Sequence, residues 1–122
     1  MVDDEVYIQD LYQAMLPIGG HTVVGAAFNG EEAVTKYKAL ASKADIILMD
    51  HRMPLKSGLD ATREITSRDP DAKVLVISAD ATVQPRCSQA GAAGFLEKPF
   101  TMAVLFQTIE ATIRNPRVNV SQ

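Results

Sequence analysis

Short apolar runs alternate with amphipathic segments along the chain, and this pattern predicts strands that alternate with helices. The strand candidates are almost wholly apolar, as is typical of parallel strands buried on both faces of a sheet. Strands are predicted at 21–28, 46–50, 73–77 and 94–97, and helices at 6–16, 31–41, 59–68, 85–90 and 102–114. Parallel strands joined by right-handed helical crossovers give a doubly wound α/β domain.

The composition is that of one ordinary globular domain. The chain has 122 residues, a net charge of −3 and a pI near 5.3, which argues against unaided binding to nucleic acid. No apolar run approaches the ~18 residues of a membrane span, so we expect no membrane association. The single cysteine, Cys87, cannot form an internal disulfide, and we expect an ordinary helix residue in a reducing cytoplasm.

Polar residues stand where the predicted strands end. Asp50 comes directly after a run of four apolar residues, Ser78 ends the next strand, and Lys98 follows the last one. Asp3 and Asp4 stand almost at the start of the chain. Because chemistry in open parallel sheets gathers at the carboxyl ends of the strands, we expect these residues to converge on one edge.

These residue types together predict a phosphoryl-acceptor site. Three crowded carboxylates repel one another, and a bound Mg²⁺ relieves that repulsion because it prefers oxygen ligands. Lys98 supplies a point charge and Ser78 a hydroxyl for phosphate oxygens. The Asp50 carboxylate is then placed to attack phosphorus while the metal and the lysine hold the equatorial oxygens.

Each residue also has an ordinary interpretation. The acidic pair could simply begin a helix, Ser78 could be a strand-end hydroxyl, and Lys98 could be a surface charge. The whole ordered set, with every member at a strand end, is much harder to obtain by chance. The chain has neither a Walker lysine loop nor a Gly-x-Gly-x-x-Gly motif, so the usual nucleotide cradles are absent.

The motifs resemble those of the response-regulator receiver domains of two-component systems, and the resemblance spans nearly the whole chain. Asp50, in the segment Met49-Asp50-His51-Arg52-Met53-Pro54, matches the phosphoacceptor. The acidic pair, the hydroxyl switch with its small neighbour, and the lysine-proline signature are matched by Asp3-Asp4, Ser78-Ala79 and Lys98-Pro99-Phe100. The remaining matches are Gly58, Gly91-Ala92 and the switch aromatic Phe95.

The resemblance implies a metal site and a phosphoryl site. Asp4 and Asp50 would bind Mg²⁺ directly, together with the backbone carbonyl of Arg52, and Asp3 would act largely through water. Lys98 would pair with the phosphoryl group, and the Lys98–Pro99 bond would be cis.

The resemblance also implies a switch. Phosphorylation would draw Ser78 inward and let Phe95 rotate, and this shift would remodel the face made by the fourth helix, the fifth strand and the fifth helix. The chain would thus be a phosphoacceptor regulator that catalyses only its own phosphoryl transfer and dephosphorylation, rather than an enzyme with a separate substrate.

The implied architecture is a flavodoxin-like, five-stranded parallel sheet with five helices and strand order 2-1-3-4-5. Residues 1–114 would form the receiver domain and residues 115–122 a C-terminal tail. The implied partners are a sensor histidine kinase and a downstream protein target, without direct contact to nucleic acid or membrane. The chain would be a cytoplasmic monomer or weak dimer.

The chain departs from the family pattern in two places. The stretch from Ser78 to Gly91 is short, so we expect the fourth helix to lose part of its first turn. Only Met1 and Val2 precede Asp3, where the family has a whole central strand. We expect Val2 and Asp3 to pair between the second and third strands, with Asp4 at the exit. We also expect either further apolar residues upstream of Met1 in the natural gene product or a residue 1 that is not joined directly to Val2.

Two other functions stay open from the sequence. A receiver-like module could bind proteins without being phosphorylated, although the presence of Asp50, Asp4, Ser78 and Lys98 disfavours this. A phosphatase with an aspartyl nucleophile usually needs a second acid two residues after the first, and Arg52 occupies that position. Incubation with Mg²⁺ and acetyl phosphate or beryllofluoride separates the three functions.

Overall fold

A computed structural model describes residues 1–40, 44–51 and 56–114 of the chain. Helices and strands alternate within these ranges, as the apolar pattern predicts. The helices are α1 (Val6–Met15), α2 (Gly30–Ala39), α3 (Gly58–Arg68), α4 (Gln84–Gln89) and α5 (Met102–Arg114), and the strands are β1 (Ile47–Asp50), β2 (Val74–Ser78) and β3 (Gly94–Glu97). The predicted tail at 115–122 lies outside the described residues.

The strands form a parallel sheet in the order β1-β2-β3. Val2 extends this sheet beyond β1, because it makes one parallel bridge to Met49 and another to Ala27. Across the sheet the order is therefore the segment at Ala27, the segment at Val2, β1, β2 and β3. This is the predicted order 2-1-3-4-5, and the predicted place of Val2 between the second and third strands is confirmed.

The predicted strand at 21–28 is wrong over most of its length. Only Ala27 pairs, with its N–H 3.0 Å from Met1 O and its carbonyl oxygen 3.1 Å from Asp3 N. A segment forms a ladder only where a neighbouring strand runs beside it. The contact next to the Ala27 pairing joins the Met1 nitrogen to the Gly25 carbonyl oxygen at 3.2 Å.

A cavity of about 490 Å³ lies beyond Met1, in line with the segment at Val2 that pairs between Ala27 and β1. It lies between the segments 20–27 and 44–48, and apolar side chains from both helical layers line it. They are Leu16, Ile109 and Ile113 on one side of the sheet and Ala33, Tyr37 and Leu40 on the other. Burial in this place lowers the pKa of the Met1 amine to about 6.

Two apolar cores cover the two faces of the sheet. Alternate residues of a strand point to opposite faces, so β1 and β2 feed both cores. One core joins α1 and α5 to the sheet through Tyr12, Leu16, Leu48, Leu75, Ile77, Leu96, Leu105 and Ile109. The other joins α2, α3 and α4 through Ala33, Val34, Met49, Ala61, Ile65, Val74, Val76 and Cys87, among others. The doubly wound α/β class is thereby confirmed.

The inner face of α1 differs from an all-apolar stripe. Its buried positions are Gln9 and Tyr12, with Leu16 just past the helix end, whereas Val6 and Leu11 are 63% and 51% exposed. A polar side chain thus occupies a position that helical spacing alone assigns to the core.

The fourth helix is short, as the sequence predicts. It has six residues, and a 3-10 turn at Ala81–Val83 precedes it. Asp80 caps that turn, because its Oδ1 accepts the Thr82 N–H at 3.0 Å. No helix in the described part of the chain has the length and apolar character needed to cross a membrane.

Candidate functional site

Asp50 ends β1 and is held from three sides. Its N–H donates to Val2 O at 3.0 Å, and in the ladder with β2 it pairs with Ile77. Gly58, at the start of α3, lies so close that a Cβ there would overlap the Asp50 carbonyl oxygen. Only glycine therefore fits at position 58, and the Asp50 backbone is fixed at the carboxyl edge of the sheet.

Lys98 reaches Asp50 from the end of β3. Its Nζ lies 3.2 Å from Asp50 Oδ1, and its backbone N–H donates to Ser78 O at 2.9 Å. The Lys98–Pro99 peptide bond is cis, as predicted. The lysine side chain keeps contact with solvent while the aspartate is 7% exposed, so a cation lies at the mouth of a largely buried carboxylate.

Burial outweighs ion pairing in setting the pKa of Asp50. Desolvation raises this pKa to about 6, although the nearby Lys98 ammonium lowers it, and the carboxylates of Asp3 and Asp4 add to the rise. The site thus holds a carboxylate that is ionised at neutral pH but poorly solvated. An approaching cation would stabilise its charged form.

A cluster of three carboxylates directly follows the segment at Val2. Ligand oxygens of Asp3, Asp4 and Glu5 lie within 4.8 Å of one another, with Asp3 buried and the other two exposed. Asp3 Oδ1 accepts the Glu5 N–H at 3.0 Å. Burial raises the pKa of Asp3 against this hydrogen bond and the attraction of Lys98.

The donor set fits a hard divalent cation. The carboxylates of the cluster and of Asp50 are all oxygen donors, the chemistry that Mg²⁺ prefers, and burial raises the pKa of Asp3 and of Asp50, so a bound cation would stabilise their ionised forms. Glu5 was not predicted from the sequence, although its place next to the acidic pair is a signal that could have included it. The predicted ligand carbonyl of Arg52 lies outside the described residues.

Ser78 is buried at the end of β2, and its Oγ accepts the Asp80 N–H at 3.0 Å. Phe95 lies one residue into β3, opposite Val76, and is partly buried against the core on the α3 and α4 side. The predicted residues Asp50, Lys98 and Ser78 therefore meet at one sheet edge, while Phe95 lies further down the sheet.

Comparison with known sequences identifies the family. The sequence profile described as "Response regulator receiver domain" matches residues 1–110. The chain belongs to the response regulator receiver domain family. It is 41% identical over 102 residues to chemotaxis protein CheY of Thermotoga maritima, covering 82% of this chain and 83% of that protein. It is 37% identical to response regulator GacA of Pseudomonas viridiflava, covering 96% of this chain but 55% of that protein.

Solved structures of receiver domains have the same fold. The chain in the CheX-CheY-BeF3-Mg complex from Borrelia burgdorferi matches with a TM-score of 0.85 at 31% identity, over 90% of this chain and 84% of that chain. Response regulator protein TrrA of Thermotoga maritima, solved with Mg²⁺ and BeF, matches with a TM-score of 0.81 at 30% identity, over 91% and 94%. The receiver domain of this chain is thus CheY-like and belongs to two-component signalling.

Replacing Lys98 is expected to raise the pKa of Asp50 further. In Lys98→Met the ammonium 3.2 Å from Asp50 Oδ1 is lost, so the ionised carboxylate loses its nearest stabilising charge. An opposite charge at this distance lowers the pKa of a carboxyl group by about one unit or more, so we expect its removal to raise the pKa of Asp50 by about one unit. Titration of the Asp50 carboxyl ¹³C resonance in metal-free protein measures it. Lys36→Met, on the exposed face of α2, is the matched control, and an unchanged Asp50 titration in Lys98→Met would contradict the assignment.

Proposed function

We propose that the chain is a phosphorylatable signalling switch that accepts a phosphoryl group from a sensor histidine kinase onto Asp50. The observation that carries the proposal is the contact between the Lys98 ammonium and a buried, strand-end carboxylate, 3.2 Å from nitrogen to oxygen. Ser78 and the acidic cluster share the same sheet edge. A structural ion pair would need none of these neighbours.

Asp50, Lys98 and Ser78 have different roles in phosphoryl transfer. Asp50 attacks phosphorus through a carboxylate oxygen, so that a P–O bond forms while the P–N bond to the kinase histidine breaks and its electron pair stays on nitrogen. Lys98 is placed to hold an oxygen of the phosphoryl group, and the Ser78 O–H can donate to another, because Ser78 Oγ meets the Asp80 N–H as an acceptor. No group here has to act as a general acid.

A divalent cation would be held by Asp4 and Asp50 directly and by Asp3 through water, with Glu5 next to them. When bound, Mg²⁺ neutralises charge that develops on the phosphoryl oxygens. The Arg52 carbonyl as a further ligand stays a prediction. The pKa of about 6 leaves the Asp50 carboxylate mostly ionised at neutral pH, so it is available both as ligand and as nucleophile.

The output would be a change in partner binding. Drawing the Ser78 hydroxyl toward the phosphoryl group would pull on the start of the 3-10 turn, because Asp80 both donates to Ser78 and caps that turn. Movement of Phe95 would then alter the face of α4, β3 and α5. The downstream protein target, the monomeric or weakly dimeric state and a cytoplasmic location are parts of this proposal.

Incubation with acetyl phosphate and Mg²⁺ tests the function. We expect the intact mass to rise by one phosphoryl group, and we expect EDTA to prevent the rise. Beryllofluoride with Mg²⁺ should shift the NMR resonances of Asp50, Ser78 and Lys98. If the folded protein takes up no phosphoryl group and its spectrum does not respond, the chain is a binding module that is not phosphorylated. Turnover of a phosphate ester in bulk would instead identify a phosphatase.

A further inference from the structure

Gln9 is a buried polar residue on the inner face of α1, and it is 1% exposed. Its amide nitrogen Nε2 lies 2.7 Å from Ala27 O, 3.2 Å from Asp3 O and 3.2 Å from Met1 O. Three backbone carbonyls thus share the two N–H groups of a single side chain. These contacts join α1 both to the segment from Met1 to Asp3 and to Ala27, which pairs with that segment.

The same backbone groups make the pairing itself. Ala27 N donates to Met1 O at 3.0 Å and Asp3 N donates to Ala27 O at 3.1 Å, so Gln9 adds a second donor to the carbonyls of Met1 and Ala27. Among the described residues, Gln9 Oε1 has no hydrogen-bond partner. The Gln9 side chain is therefore held through its N–H donors, which point at the carbonyl oxygens of Met1, Asp3 and Ala27.

The acidic cluster begins at this point. Asp3 is one of the three residues that Gln9 contacts, and Asp4 and Glu5 follow it directly. Crowded carboxylates repel one another, and in the described residues Val2 is held to its neighbours by isolated bridges to Ala27 and Met49. The Gln9 amide, which donates to the Asp3 carbonyl oxygen at 3.2 Å, adds a restraint against that repulsion.

We propose that Gln9 is a positioning residue for the magnesium site. It fixes the backbone of Asp3, and thereby the carboxylates of Asp3 and Asp4, at a set distance from Asp50. This inference rests on the proposed function, because it concerns the metal site proposed there. Gln9 does not touch the metal or the phosphoryl group and acts only through the Asp3 backbone.

Gln9→Met tests the inference, because methionine has nearly the same length and shape but no N–H donor. We expect the Mg²⁺ concentration for half-saturation to rise at least tenfold, the usual consequence of losing a group that orients metal ligands. The maximal phosphorylation rate with acetyl phosphate at saturating Mg²⁺ should stay unchanged. Gln13→Met is the matched control, because Gln13 is an exposed glutamine one turn further along α1 and should leave both values unchanged.

Mg²⁺ titration followed by amide NMR shifts separates the possible failures. If the unsubstituted chain shows no saturable Mg²⁺ binding, the proposed function fails. If it binds Mg²⁺ and folded Gln9→Met has the same half-saturation, the positioning role is overturned, whatever the loss in melting temperature. Gln9→Asn, which keeps the amide but is one methylene shorter, decides the question if Gln9→Met does not fold. Unfolding of both variants alongside folded Gln13→Met would also overturn the proposal, since Gln9 would then serve the fold alone.

Discussion

Asp50→Asn is expected to abolish phosphorylation and, at the same time, to stabilise the metal-free protein by about 3 kcal/mol at pH 7. The loss follows because an amide oxygen cannot form the acyl phosphate. The gain follows because burial raises the pKa of Asp50 from 3.8 to about 6, so the folded state disfavours the ionised carboxylate. Asparagine fills the same space without that charge.

The sign of the pH dependence follows from this raised pKa. Between about pH 4 and pH 6 the folded protein binds a proton at Asp50 that the unfolded chain has already released. The contribution of Asp50 to the free energy of unfolding should therefore be greatest below pH 4 and be lost as the pH rises through 6. Asp50→Asn should remove this contribution, and Asp3, whose pKa burial raises in the same direction, contributes a decline of the same sign.

Urea unfolding in EDTA at several pH values between 4 and 8 measures the effect, and intact mass after acetyl phosphate and Mg²⁺ measures the loss of labelling. Asp60→Asn is the control, because Asp60 is an exposed aspartate on α3 and should change neither result. Mg²⁺ should stabilise the unsubstituted chain at pH 7 but not Asp50→Asn. Labelling of Asp50→Asn at the normal level would refute Asp50 as the acceptor.

An N-terminal extension of four apolar residues, such as Val-Leu-Ile-Val, is expected to raise the free energy of unfolding by about 3 kcal/mol. The cavity of about 490 Å³ beyond Met1 has apolar walls on both sides of the sheet. Four buried side chains contribute ~6–12 kcal/mol, and ordering four backbone units costs ~4–8 kcal/mol. New ladder hydrogen bonds to the segment 22–25 add ~1 kcal/mol each, and the lost rotamer freedom of the buried side chains, ~0.5–1 kcal/mol each, roughly offsets them.

The extension should also change the pH dependence above pH 6. Burial lowers the pKa of the Met1 amine to about 6, so between pH 6 and 8 the unfolded chain binds the extra proton and stability rises with pH. A peptide bond in place of the amine removes this rise. A Gly-Ser-Gly-Ser extension is the control, because it replaces the amine without burying apolar surface. Equal stability of the two extended chains would mean that the cavity does not take a strand.

The extension is also placed to pair with the segment 21–28. Amide hydrogen exchange should slow at positions 22–25 in the apolar extension and stay fast in the Gly-Ser control. This readout separates strand formation from a general gain in hydrophobic burial.

The elements whose formation depends on near neighbours in the chain are predictable from the amino-acid sequence. The apolar periodicity predicted the bounds of α5, and the apolar runs ended at Asp50 and Ser78 as predicted. The caps of α2 and α3 are local as well, because the side chains of Asn29 and Ser57 accept N–H groups three residues further on. Strand ends also carried the chemistry, so the residues of the site could be named before their distances were known. Local composition is sufficient here because each of these signals lies within a few residues.

Features that depend on a partner from elsewhere in the chain become visible only in the packed fold. The segment 21–28 has the composition of a strand, yet it pairs only at Ala27, because a ladder needs a neighbour and Val2 offers one residue. Gln9 breaks the apolar pattern of α1 because the carbonyls of Met1, Asp3 and Ala27 meet beneath it. The balance at Asp50, where burial outweighs the Lys98 charge, likewise arises from residues 48 positions apart in the chain. Hydrogen-bond partners and desolvation are properties of packed neighbours, and no local pattern encodes them.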